Sequence, residues 1–328
     1  MSLLEKRVSY KPFKYPWAFT AYELQNQMHW IPSEVPLHDD VVDWNQRLSP
    51  AEKNLLTQIF RFFTQGDIDV AQGYIDKYMP LFKPTEVRMM LCAFAAMEAT
   101  HIHAYSLLLD TVGIPETEYE AFAKYKEMAD KHNFFDGFNP KDHDLTTTEG
   151  KRELAKTLAV YSAFGEGLQL FSSFVILLNF QRFGKMKGMC QIVTWSIRDE
   201  SLHVESMIKL FREFVSENPE VVDDGFKKNI YDIARKMVEL EDNFIDLAFA
   251  QGGIEGLTKE EVKQYIRYVA DRRLISLGLR PNFGVKDNPL SWLDWVLNGV
   301  EHTNFFENRA TEYAKGALTG SWADVWEG

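Results

Sequence analysis

Residues 86–112 read EVRMMLCAFAAMEATHIHAYSLLLDTV, an apolar run of helical period that opens just after Pro84 and Thr85 and stops at Gly113, with Pro115 two residues beyond. Glycine just past the end and proline soon after are the punctuation that closes a helix, here one of about eight turns. Glu98 and His101 stand three residues apart within it and therefore share a face. Residues 189–215, MCQIVTWSIRDESLHVESMIKLFREFV, repeat the arrangement with Glu200 and His203, and Asn218-Pro219 ends that run. Two further apolar segments each carry an acid without a histidine: Asp67 in FFTQGDIDV (62–70) and Glu166 in YSAFGEGLQLFSSFVILL (161–178).

Four carboxylates on the inward faces of four helices are untenable unless positive charge sits between them, because each unpaired buried charge costs several kcal/mol. Two metal ions would satisfy all four. One acid from each of two helices plus a Glu-x-x-His from each of the other two is the ligand pattern of ferritin-like carboxylate bundles. Oxygen donors with one imidazole per ion suit iron or manganese, whereas zinc takes more nitrogen or sulfur. A single Glu-x-x-His is common by chance; two copies with two more acids in this order are what carries the signal. His103 and Asp69 lie two residues from His101 and Asp67, point to other faces, and read as structural or surface groups. Phe62, Phe63, Phe171 and Phe174 read as core that would keep such a centre dry.

The rest of the chain predicts an all-α bundle with no strand pattern. After about 45 residues rich in proline and aromatics, LSPAEKNLL starts a long helix with Ser49 as cap, Pro50 at the first position and Glu52 completing a capping box. Residues 127–150 are polar and turn-rich and read as a connection. Helices follow over about 150–183, from the Gly184 to Gly188 break to Asn218, over 224–250, and from Thr258 to Gly278, after which the tail is irregular. One bundle domain over 1–310 with an extended N-terminal arm, and a flexible tail over 311–328, is the expected organisation.

A formal net charge of -12 argues against sequence-independent nucleic-acid binding. Cys92 and Cys190 have no metal-site or disulfide spacing and read as free buried thiols. The opening MSLLEKRVSYKPFKYPW has no apolar signal core, and no stretch approaches 18 uninterrupted apolar residues, so the expectation is a cytoplasmic protein without membrane contact. No glycine-rich phosphate cradle is found, so binding of a nucleotide substrate is not expected.

The succession FFTQGD, MEATHIHAY, FGEGL, RDESLH, ADRRLISLGL and NFFENRATEY resembles the small, radical-generating subunit of class I ribonucleotide reductase along nearly the whole chain. The last two strings lie outside any need of metal ligation, which makes the match specific. The resemblance implies two metal ions per chain, iron first, with manganese or a mixed Mn/Fe pair as alternatives. Their ligands would be Asp67, Glu98 and His101 on one side and Glu166, Glu200 and His203 on the other, with Glu98 and Glu200 bridging or approaching both.

It further implies that molecular oxygen or superoxide oxidises Tyr105 to a radical. The oxidising equivalent would then reach a separate large catalytic subunit through His101, Asp199, Trp30 and Tyr313. It implies a homodimer and docking of the C-terminal residues, with Trp322 and Trp326 as anchors, onto that large subunit. Trp30 alone can equally be read as core packing, and an ordinary core tyrosine is the lesser alternative for Tyr105. Leu170 stands where several relatives have a larger aromatic, which would leave room beside the metals. An oxidase on the same scaffold, an iron-storage protein and a purely structural bundle are the rival readings; Trp30, Asp199, Tyr105 and Tyr313 together favour the reductase subunit.

Overall fold

The computed structural model describes residues 2–140 and 143–296. Residues up to Pro289 form one compact unit, and those from Leu290 onward a second, of which 290–296 are described. The expected boundary at 310/311, Tyr313, Trp322 and Trp326 lie outside the described residues.

The first unit is a bundle of helices, with an isolated bridge between Ile254 and Leu257 as its β feature among the described residues. Helix α3, Pro50–Gln72, starts where the capping box puts it: Glu52 N donates to Ser49 Oγ and Ser49 N to Glu52 Oε2. It passes into a π-helical turn, Gly73–Tyr78. Helix α4, Thr85–Val112, ends on Gly113 in the left-handed region at φ 80°, which glycine enters without steric cost.

The third expected helix runs from Thr148 to Arg182 in three parts. Helix α7, Thr148–Leu158, and helix α8, Leu170–Arg182, flank a π-helical segment, Ala159–Gln169, with all eleven of its residues buried. This stretch is long and apolar enough to cross a membrane, but its most apolar 18-residue window is wholly buried inside the protein, so its hydropathy is that of core. Helix α9, Lys187–Glu217, begins on two buried acids: Asp40 accepts from Gly188 N and Met189 N, and Asp43 from Met186 N. Gly188 is required there by crowding, since a Cβ would lie 2.7 Å from Pro36 O. Helices α10, Asp224–Ala248, and α11, Lys259–Ser276, close the bundle. Helix α3 packs on α4, α4 on α9, and the π segment on α9, α10 and α11, which turns one face of each ligand-bearing helix to a common centre.

Three expectations need correction. A helix, α1 (Pro16–Gln27), lies within the segment read as an extended arm; its inward residues, Ala18, Ala21 and Gln25, are too small or polar to give a readable apolar stripe. The polar stretch 127–150 contains helix α6, Lys126–Asp136, docked against α10. Cys92 is exposed, and only Cys190 is buried.

Helix α6 was hidden by the residue that docks it. Lys131 is fully buried, with Nζ 2.7 Å from Glu241 Oε2 and 3.7 and 4.4 Å from the ring centroids of Phe62 and Phe244. Ser172 Oγ donates to the other Glu241 oxygen. Removing one partner of such a pair strands the other charge, so Lys131→Met is expected to cost about 3–5 kcal/mol of stability in chemical denaturation. Lys131→Met/Glu241→Leu should recover most of that loss, since no charge is then left buried alone.

Candidate metal centre

Each acid sits where its helix faces the others. Asp67 comes from α3, Glu98 and His101 from α4, Glu166 from the π segment, and Glu200 and His203 from α9, and all six side chains are buried. Ligand atoms of Glu98, Glu166, Glu200 and His203 lie within 4.8 Å of one another. His101 Nδ1 is 3.3 Å from both Glu98 Oε2 and Glu200 Oε1, while His203 Nδ1 is 2.9 Å from Glu98 Oε1 and 3.8 Å from Glu200 Oε2. Glu98 and Glu200 therefore stand between the two imidazoles. Asp67 is outside the four-residue cluster; His101, Glu98 and Glu200 are the charged groups acting on it.

The electrostatics are those of buried acids that a cation would relieve. Burial, then the neighbouring Glu200 and Glu98, push the Glu166 carboxyl well above the usual range, and burial and Glu98 raise Glu200. Burial also raises Asp67 strongly. Burial works against ionisation of Glu98 too, yet contact with His101 and His203 holds it down at about 2. Glu166 Oε2 and Glu200 Oε2 are buried with no hydrogen-bond partner, and Glu98 Oε1 and His203 Nδ1 meet only each other. Buried polar atoms are nearly always partnered, so this concentration of orphans fits donors awaiting a ligand. Four carboxylates carry the charge of two divalent ions, and the oxygen-rich donor set suits iron or manganese.

Outside the donors lies a hydrogen-bonded frame. His101 Nε2 is 3.3 Å from Asp199 Oδ2, and Trp30 Nε1 donates to that same oxygen at 2.8 Å. The Trp30 ring stacks on His101 with centroids 6.1 Å apart. His203 Nε2 lies 2.9 Å from Gln25 Oε1, and the Gln25 amide reaches Asp199 Oδ1 at 3.4 Å. Both imidazoles are thus gripped at Nε2, leaving Nδ1 toward the carboxylates, and such partners set ring orientation and tautomer. Burial opposes charge on Asp199, but His101, Arg198 and Trp30 hold its pKa below the usual value.

Tyr105 is buried, its hydroxyl 3.4 Å from Ser196 Oγ and its ring 4.7 Å from that of Phe63. Tyr105 and Asp67 share the lining of a cavity of about 190 Å³ walled by Phe60, Phe63 and Leu109 and rimmed by Thr64 and the exposed Ser106. His103 is exposed, and Asp69 pairs with His132 at 2.6 Å, as their spacing predicted. Leu170 lines a separate cavity of about 30 Å³, room for little more than one water.

Sequence reasoning missed Gln25, Ser196 and Tyr74. Ser196 and Tyr74 were within reach, because Ser196 is one turn before Glu200 and Tyr74 two turns after Asp67. Gln25, a buried amide in a helix that was itself overlooked, had no signal.

The family description "Ribonucleotide reductase, small chain" matches residues 7–289. The chain belongs to this family, the small subunits of class I ribonucleotide reductase. It is 48% identical, over 98% of its length and 88% of the relative, to a probable ribonucleoside-diphosphate reductase small subunit of Invertebrate iridescent virus 3. It is 30% identical, over 92% of its length and 88% of the relative, to the ribonucleoside-diphosphate reductase subunit beta of Chlamydia pneumoniae.

The ribonucleotide reductase R2 subunit from Clostridium botulinum shares the fold with a TM-score of 0.82 at 23% identity, covering 90% of this chain and 94% of that one. For a Streptococcus sanguinis dimanganese(II)-NrdF the TM-score is 0.75 at 23% identity, covering 90% and 99%. The fold is the ferritin-like bundle of these subunits, and the protein is a subunit of an oxidoreductase of the ribonucleoside-diphosphate reductase type.

Asp199→Asn keeps the size of the side chain but weakens its grip on His101. It is expected to lower metal affinity about 10–100-fold, read by manganese(II) titration of the metal-free protein, with little change in its unfolding midpoint.

Proposed function

We propose that this small subunit generates an oxidising equivalent at a two-metal centre, stores it on Tyr105 and passes it to a large catalytic subunit that reduces ribonucleotides. The observation that carries this reading is the contact chain Trp30–Asp199–His101, which joins a metal-facing imidazole to a redox-capable indole. Iron storage or oxidation of a small substrate needs no such link.

Asp67, Glu98 and His101 would hold one ion, and Glu166, Glu200 and His203 the other, with Glu98 and Glu200 reaching both. Two iron or manganese ions bound there supply, with molecular oxygen or superoxide, an oxidising power that no side chain possesses. The cavity over Asp67 and Tyr105 has the volume to admit either oxidant from the rim at Ser106.

Tyr105 gives up one electron and its phenolic proton. Burial and the nearby Asp67 raise its pKa, so the phenol stays protonated until it is oxidised and the two leave together. Asp67, facing the same cavity, is the carboxylate best suited to accept that proton. Phe63 packs 4.7 Å from the ring and Phe60 lines the same cavity, which gives the radical an apolar surround. For transfer outward, Asp199 keeps Trp30 and His101 in contact, and its carboxylate can take the indole proton as Trp30 is oxidised. Tyr313 would continue the path in the C-terminal residues that dock on the large subunit, and the working form would be a homodimer in the cytoplasm.

Electron paramagnetic resonance on metal-free protein, reloaded with iron(II) or manganese(II) and exposed to oxygen, tests the storage step. A tyrosyl signal is expected in the wild type and none in Tyr105→Phe. A metal-centred signal surviving in Tyr105→Phe with full reductase activity would mean that the metal pair holds the oxidant and that Tyr105 is packing. Trp30→Phe should retain the tyrosyl signal while losing activity with the large subunit; retention of both would remove Trp30 from the path.

A further inference from the structure

Tyr105 is not the only tyrosine against the carboxylates. Tyr74 lies in the π-helical turn Gly73–Tyr78, two helical turns beyond Asp67, and is 1% exposed. Its ring meets His203 edge-on at 5.8 Å and Phe94 at 5.9 Å. Its hydroxyl is buried and has no hydrogen-bond partner. The adjacent Tyr78 differs, since its hydroxyl reaches Thr157 O at 3.5 Å. A buried hydroxyl without an acceptor costs about 1–3 kcal/mol, a cost that phenylalanine would avoid.

Glu166 offers the missing acceptor, because its Oε2 is also buried and unpartnered. The Tyr74 ring lies on His203, whose ligand atoms are within 4.8 Å of those of Glu166, and Glu166 is the charged group that acts most on Tyr74, ahead of Glu98 and Glu200. A phenol hydroxyl is a hydrogen-bond donor. Glu166 needs one: it leaves a π-helical segment between two glycines and, unlike Glu98, has no histidine contact.

We propose that Tyr74 is a positioning residue whose hydroxyl donates to Glu166 and fixes the orientation in which that carboxylate joins His203 on a metal ion. This rests on the two-metal reading above. It makes the two halves of the centre unequal: one is bordered by Tyr105, the other by a tyrosine that orients a carboxylate. Loss of the Tyr74 hydroxyl should weaken one ion and leave the other nearly untouched.

The test is manganese(II) titration of metal-free full-length protein, with free and bound manganese read by electron paramagnetic resonance. Wild type should take up two equivalents. Tyr74→Phe keeps the ring contacts to His203 and Phe94; it should bind one equivalent as in wild type and the second about 10–100-fold more weakly. The signal of the coupled manganese pair should change with it, and the unfolding midpoint of the metal-free protein should not fall. Tyr105→Phe, on the other side, should leave both affinities in place.

Two affinities in Tyr74→Phe within about twofold of wild type, well short of the loss expected on removing a ligand-orienting partner, would overturn the proposal. So would equal weakening of both ions with a lowered midpoint, which is the mark of packing. Failure of the wild type to bind two equivalents would instead defeat the two-metal reading itself.

Discussion

Four carboxylates converge in a volume from which water is excluded, and no lysine or arginine reaches them among the described residues. Like charges a few ångströms apart repel by about 4 kcal/mol per pair even at the effective polarity of a protein interior, a large share of a domain's stability, and cations between them would remove that cost. The rest of the bundle has to keep these groups in place against that repulsion. The Asp40 and Asp43 cap fixes where α9 begins, and the capping box at Ser49 fixes α3. The helix ends determine which faces turn inward. Burial and the neighbouring acids raise the pKa of Glu166 and Asp67 above all, and a divalent ion would compete with protons for the same oxygens.

The N-terminal segment belongs to the centre as much as the four ligand helices do. Glu86, fully buried on α4, accepts from the backbone nitrogens of Lys14 and Tyr15 at the start of α1. Glu217, at the far end of α9, accepts from Lys14 Nζ, the Tyr15 hydroxyl and Leu3 N. The two helices that supply Glu-x-x-His therefore also clamp the arm. Helix α1 and the residues after it deliver Gln25 to His203 and Trp30 to Asp199, so disturbance of the arm reaches the imidazoles through two hydrogen bonds.

Periodicity made the four long helices and the inward acids legible, because Glu98, His101, Glu200 and His203 lie in segments with ordinary helical spacing and clear stops. The family resemblance added Tyr105, Trp30 and Asp199. Helices α1 and α6 were illegible because polar groups interrupt their inward stripes: on α6, Lys131 stands between the buried Met128 and Phe135, and its charge reads as exposed until Glu241, 110 residues away in sequence, is brought 2.7 Å from it. Long-range pairing of polar groups leaves no local signature. The amide of Gln25 escaped for the same reason, since it acts on a residue from another helix.

The π segment shows a different limit. All eleven residues from Ala159 to Gln169 are buried, so hydropathy carries no facing information there, and the wider turn rotates residues away from the positions that an α-helical count assigns. The glycines on either side of Glu166 decide what can stand near it. A Cβ on Gly165 would lie 3.0 Å from the Phe135 ring, and one on Gly167 would lie 2.7 Å from Arg273 Nε, which donates to Gly167 O. The string FGEGL is thus a device for bringing α6 and α11 tight against the backbone that carries a ligand. Close packing holds the Glu166 backbone while the carboxylate itself has no histidine contact, and the side chain with a free donor beside it is Tyr74. A tightly packed backbone and an unpartnered carboxylate therefore coexist at Glu166, and the Gly-Glu-Gly string is what allows both.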